Sequence, residues 1–131
     1  PGDSLYEIQP ENGELNVQVR YDGDTAVHDS LYVPKRLSEK DKYMYYLDGN
    51  HAYVHIQTNA ANNKKAVIVK DSYAHILIPF LATEYSEIQL VDLRYYHSPV
   101  SELITDKAQT DFYVLYSLDN FCSDPNLAFL R

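Results

Sequence analysis

Asp71-Ser72 is the point in the chain where residue type and position could do covalent chemistry. An unbroken apolar run at 66–69 leads into Lys70-Asp71-Ser72, and helical spacing begins at Tyr73. A serine at a strand-to-helix corner projects its hydroxyl at the sheet edge. The first N–H groups of the helix then face a developing oxyanion. The chemistry on offer is acyl transfer through an acyl-serine. The same position also suits a serine that only caps the helix, and the corner alone leaves both open.

A serine nucleophile needs a histidine to take its proton and a carboxylate to orient that histidine. The five histidines are His28, His51, His55, His75 and His97. His75 is three residues beyond Ser72, on the same predicted helix, whereas a general base usually reaches in from another loop. His28 and His55 fall within predicted strands, and His51 follows the Gly49-Asn50 turn. His97 follows Arg94-Tyr95-Tyr96 near a strand tip. No histidine pair lies at i, i+4 with a supporting glutamate on a predicted helix, and the single cysteine, Cys122, forms no cluster. A glycine-rich phosphate loop is also missing, so no metal and no cofactor is expected. Asn50 could donate its amide to an oxyanion or simply fill a left-handed turn position. Arg94 could bind an anionic substrate or pair with Asp71 or Asp92. Tyr73 could line the site or pack, and Tyr95 and Tyr96 read as packing.

Positioning these residues requires a sheet with its strand tips together. Residues 1–13 read as a loose lead-in with a short strand at 5–8. Residues 14–21 alternate polar and apolar, the mark of a half-buried strand. Asp22-Gly23-Asp24 is a tight-turn signal, and 25–32 a second strand, so 14–32 reads as a β-hairpin. A short helix is expected over 36–46, capped near Ser38, and a strand at 52–58. The run at 66–69 then reads as a strand covered on both faces. A helix follows over 73–83, with apolar Ile76, Leu77, Phe80 and Leu81 on one face and Pro79 kinking it or lying in its first turn. Strands at 88–93 and 111–116 flank a short helix at 100–105 capped by Ser98 or Ser101, and 124–130 closes with a helical turn or two. Strand–helix–strand–helix–strand over 66–116 is a parallel α/β unit. Ligands on such sheets sit at the carboxyl ends of the strands, here Asp71-Ser72, Asp92-Leu93-Arg94 and Ser117-Leu118-Asp119-Asn120.

Composition narrows the partners. The 131 residues suit one domain with a single core. Eleven basic residues against nineteen acidic ones give a net charge of -8, which opposes binding to nucleic acid or an anionic membrane. No apolar run is long enough to span a bilayer. Thirteen tyrosines and no tryptophan suit half-buried strand faces or a polysaccharide cleft, and do not choose between them.

Several segments together carry a resemblance. They are Lys70-Asp71-Ser72-Tyr73-Ala74, Pro79-Phe80-Leu81, Tyr85-Ser86-Glu87-Ile88 and Val91-Asp92-Leu93-Arg94-Tyr95-Tyr96. Upstream, Asp29-Ser30-Leu31-Tyr32, Lys40-Asp41-Lys42-Tyr43 and Gly49-Asn50-His51 extend it; downstream, Leu115-Tyr116-Ser117-Leu118-Asp119-Asn120-Phe121 does. This pattern, over most of 29–122, resembles the C-terminal half of the DHHW proteins. That family is named for an Asp-His-His-Trp motif and is similar to SGNH/GDSL hydrolases and the SGNH-like domains of alginate O-acetyltransferases. The resemblance implies an α/β, SGNH-hydrolase-like (flavodoxin-like) parallel sheet with flanking helices, preceded by a β-hairpin. Residues 1–65 would be the hairpin and connecting region, and 66–122 the parallel core of a partial domain. It places Ser72 at the nucleophile position and likens Asn50 to the oxyanion asparagine of SGNH enzymes; Tyr73, Arg94, Asp71 and His51 stand beside them as further site candidates. The Asp-His pair would come from the eponymous motif upstream, which a chain without tryptophan lacks. The implied function is part of a serine esterase or O-acyltransferase acting on acylated carbohydrate or a small ester at the cell envelope, outside the cytoplasm. The 131 residues alone would be inactive. Two other readings are a non-catalytic carbohydrate-binding or surface-interaction domain and a homo-oligomer joined through an exposed apolar face.

Overall fold

A computed structural model describes residues 13–130; the strand expected at 5–8 lies outside them. Five strands form one sheet: β1 (Val17–Tyr21), β2 (Tyr53–Thr58), β3 (Lys65–Lys70), β4 (Glu87–Val91) and β5 (Thr110–Leu115). Their order is β1-β2-β4-β3-β5. β3 runs parallel to both β4 and β5, as the strand–helix–strand rhythm predicts. β2 is antiparallel to both β1 and β4. The fold is therefore α/β on a mixed sheet, which corrects the expectation of a parallel one.

The hairpin at 14–32 is only partly formed. Its turn is real: Asp22 and Gly23 have φ of 53° and 75°, and Asp24 N donates to Tyr21 O at 2.9 Å. Two left-handed residues in succession are the signature of a type I′ turn. The returning segment 25–29 is exposed, however, and offers no apolar face to bury. Its one ladder contact with β1 is the Val19–His28 bridge, and β2 pairs along the whole of β1, Tyr21 opposite Val54.

Burial follows the strand alternation. Val17, Val19, Val54, Ile56, Ala66, Ile68, Ile88 and Leu90 share one core with Leu31, Leu47 and Ile78. Val67, Val69, Val91, Leu93 and Val100 form a second core on the other face. The central strands β3 and β4 are covered on both sides, so β3 is buried from Ala66 to Lys70 and β4 from Ile88 to Val91, whereas β1 and β2 alternate. Tyr85 ties β5 to this scaffold, its hydroxyl 2.6 Å from Asp111 Oδ2 and 2.5 Å from the Tyr113 hydroxyl.

The helical segments are tighter and shorter than their spacing suggests. Residues Ser72–Leu77 form a 3₁₀ turn that passes into α1 (Ile78–Leu81), with Pro79 in its first turn. Three residues per turn stack positions 72, 75 and 78 on one face, and His75 and Ile78 are buried there. The expected apolar face turns outward in consequence: Ile76, Leu77 and Phe80 are exposed, and only Leu81 packs on the core. The helix expected at 36–46 resolves into 3₁₀ turns Pro34–Ser38 and Lys42–Tyr45. The one at 100–105 is a 3₁₀ turn, Val100–Leu103, entered from Pro99 without a side-chain cap. The chain ends in α2 (Leu118–Ser123) and a 3₁₀ turn, Pro125–Phe129. Among the described residues no helix is long and apolar enough to cross a membrane.

Candidate functional site

Ser72 does not cap the segment it opens. Asp71 is the N-cap, its Oδ1 accepting from Tyr73 N at 3.0 Å. Asp71 Oδ2 accepts from Ser117 N at 2.8 Å and from Asn120 Nδ2 at 2.9 Å. One buried carboxylate thus joins the tips of β3 and β5 and leaves the neighbouring hydroxyl free of that duty. Burial pushes this carboxyl up, but hydrogen bonds from Ser117, Asn120 and Tyr73 outweigh it and hold it below the ordinary range. The structure thereby assigns Asp71 to building the corner.

Ser72 lines a cleft of 380 Å³ with Asn50, Gly49 and Tyr73. Asp41, Met44 and His75 complete its wall. A second recess of 130 Å³ also includes Ser72, with Lys70, Asp71, Arg94, Tyr116 and Asn120. Residues from all three expected strand tips therefore meet around Ser72. A larger recess of 720 Å³, among Asn16, Gln57, Asn59 and Asn62, holds none of the site residues expected from sequence.

Asn50 is not the left-handed residue of its turn. That role falls to Leu47, Asp48 and Gly49, with φ of 55°, 56° and 86°. Left-handed geometry costs a residue with a Cβ about 1–2 kcal/mol, so two non-glycines in series need support. Leu47 is buried in the core, and Asp48 Oδ1 accepts from Arg36 Nε at 2.7 Å. The result is an Asn50 delivered, exposed, to the cleft wall.

Beneath Ser72 lies a polar cluster the sequence did not announce. The parallel register Val69–Val91 sets Lys70 beside Asp92 on one sheet face. Lys70 Nζ lies 2.7 Å from His75 Nε2 and 3.9 Å from Asp92 Oδ2, all three residues being buried. Burial pulls the lysine down to about 8, against the upward pull of Asp92. Burial, then the lysine charge, push His75 down to about 3, so it is a neutral ring accepting from the ammonium. His75 thus shares the Ser72 cleft but is a poor base. The available signal was a lysine ending a strand buried on both faces.

Arg94 pairs with Asp92 through two bonds, Nε–Oδ1 at 2.9 Å and Nη2–Oδ2 at 2.6 Å. The ion-pair reading therefore holds with Asp92 and not Asp71, although the arginine also borders the smaller recess. Tyr73 is 59% exposed at the cleft rim. Tyr96 stacks on Tyr53 at 6.0 Å, whereas Tyr95 is exposed and lies under the Arg94 guanidinium. His51 does not line the cleft; its Nδ1 lies 2.6 Å from Asp22 Oδ2. That contact spans 29 residues, and no local pattern could have signalled it. No group of three or more His, Cys, Asp or Glu able to hold a metal occurs among the described residues.

No family model matches the chain, and no curated protein matches it. Solved structures do. Bacillus cereus PatB1 with a sulfonyl adduct is 26% identical at a TM-score of 0.69, covering 94% of this chain and 43% of its own. A second structure of Bacillus cereus PatB1 is 25% identical at 0.65, over 98% and 47%. A DHHW family protein from Eubacterium siraeum DSM 15702 is 24% identical at 0.61, over 78% and 35%, a likeness of fold. The chain spans less than half the length of each of these proteins.

Proposed function

We propose that these residues form the nucleophile half of an SGNH-like serine esterase or O-acyltransferase acting on acylated cell-envelope carbohydrate, outside the cytoplasm. One observation carries the reading: Ser72, released from capping, and Asn50, 22 positions away in sequence, line one cleft. Ser72 Oγ attacks the acyl carbonyl and passes its proton to a histidine. The Asn50 amide donates to the tetrahedral oxyanion, and collapse expels the alcohol, protonated by the same histidine, to leave an acyl-serine. Water or a sugar hydroxyl then attacks that ester and regenerates Ser72. The similarity to PatB1, one structure of which carries a sulfonyl adduct, supports the reading, since sulfonylation captures activated nucleophiles.

The histidine and its orienting carboxylate are assigned to residues outside these 131. His75 is the one histidine lining the cleft, and it is buried, neutral and engaged by Lys70. Both PatB1 structures are more than twice as long as the part matched here.

Two measurements test this. Fluorophosphonate labelling of a longer protein that supplies the Asp-His pair should be lost, by about 100-fold or more, in Ser72→Ala. Unchanged labelling in the variant would remove Ser72 as nucleophile. The 131-residue chain should hydrolyse an aryl acetate no faster than its Ser72→Ala variant; Ser72-dependent turnover would overturn the claim that the base comes from elsewhere. A non-catalytic carbohydrate-binding role is favoured by Tyr73, half exposed at the rim, where an aromatic face can stack on a sugar ring. Saturable oligosaccharide binding lost in Tyr73→Ala, with no labelling of Ser72, would select it.

A further inference from the structure

The turn that delivers Asn50 is fastened from behind, away from the cleft. His51 lies between two carboxylates: Nδ1 is 2.6 Å from Asp22 Oδ2, and Nε2 is 3.5 Å from Asp48 Oδ2. The ring stacks on Tyr21 at a centroid distance of 4.4 Å. Asp22 is itself anchored, its Oδ1 accepting from Tyr53 N at 3.1 Å and its own N donating to Tyr53 O at 2.7 Å. Asp48 is anchored on Arg36. His51 Nε2 is buried and completes no hydrogen bond, as does the Tyr21 hydroxyl. The ring can satisfy both carboxylates only when both nitrogens carry protons. With one proton, held on Nδ1 toward Asp22, the Nε2 lone pair confronts the Asp48 carboxylate.

We propose that His51 is a positioning residue, a clasp between the Asp22 turn and the Asp48-Gly49-Asn50 turn that sets the Asn50 amide toward Ser72. Its value to catalysis rests on the reading of Asn50 as oxyanion donor; the clasp itself does not. The clasp holds a backbone that is left-handed at three successive positions. The groups around the ring are few. Asp22 and Asp48 face the two nitrogens, and Lys35 and Arg36 act on Asp48. Tyr21 covers the ring and is flanked in turn by His28 at 5.2 Å. His75 interacts with His51 and, being neutral, adds no opposing charge.

The test is nitrogen-15 NMR on the 131-residue chain, following the Asn50 backbone and side-chain amides in the wild type, Asp48→Asn and His51→Gln. Both variants should shift the Asn50 side-chain amide and speed amide exchange at Gly49 and Asn50 by about 10-fold, with β3 and β4 amides unchanged. Unchanged Asn50 resonances and exchange in both variants would overturn the clasp. Should one variant fail to fold, the other alone decides. A negative labelling result at Ser72 would sink the nucleophile reading and leave this measurement untouched.

Discussion

At the scale of single residues, the buried histidine has the clearest consequence. His75 is held as a neutral ring with a folded-state value near 3, against 6.5 when free, chiefly by burial and then by the Lys70 charge. Between those values the unfolded chain binds the extra proton, so stability rises with pH there and falls on acidification. The contribution is fully present above pH 6.5 and is lost progressively toward pH 3. Asp71, Asp22 and Asp48 also lie below their free value of 3.8, but their share disappears only at more acid pH. We predict that stability falls by about 1 kcal/mol per pH unit between pH 6 and 4. His75→Asn, which keeps an acceptor for Lys70, should flatten that slope in urea unfolding. An identical slope in the variant would assign the acid lability to another group.

At the scale of elements, the Asp48-Gly49-Asn50 turn is the most constrained. Gly49 has φ of +86°, and a Cβ there would meet Met44 Cγ at 3.2 Å and Cε at 3.3 Å. Gly49→Ala is predicted to cost about 1–2 kcal/mol from backbone strain alone, or several degrees of melting temperature in a domain this size. A calorimetric scan matching wild type would show that the turn relaxes freely. The strands were legible because burial repeats with the pleat: β1 and β2 alternate, and the run at 66–69 is apolar throughout since β3 is covered on both faces. The turn at Asp22-Gly23 was legible because left-handed pairs demand such residues. Lateral order was not. The segment after that turn has no apolar face to bury, and the partner that does, β2, begins some 30 residues later. The Ser72 segment misled for a related reason, since helical spacing does not separate 3₁₀ from α, and the choice rotates Ile76, Leu77 and Phe80 from core to surface. Ser72 shares one recess with Asn50 and another with Arg94; the Asp22–His51 and Lys70–His75–Asp92 contacts depend on register and could not be read from sequence.

At the scale of the whole molecule, apolar exposure and charge oppose each other. Ile76, Leu77 and Phe80 are 46%, 44% and 55% exposed beside Tyr73, an apolar face that a partner could cover. A net charge of -8 repels a second copy. We predict that sedimentation shows dimers growing as salt rises from about 0.05 to 0.5 M, where screening shortens to a few ångströms. Phe80→Lys should suppress them, and a strict monomer at both salts would discard the idea. The sheet order has a different consequence, for the order of assembly. β4 lies between β2 and β3, yet follows both in the chain. As the polypeptide emerges from a ribosome, the two flanking strands are complete while the gap between them stays open. The sheet can close only when residues 87–91 insert. That insertion is predicted to be the slow step, because it forms long-range antiparallel and parallel pairings together. Leu90→Ala should slow refolding in stopped-flow about in proportion to its loss of stability, whereas Val17→Ala on the outer strand should mainly speed unfolding. The reverse pattern would mean that the β1–β2 pair nucleates the fold.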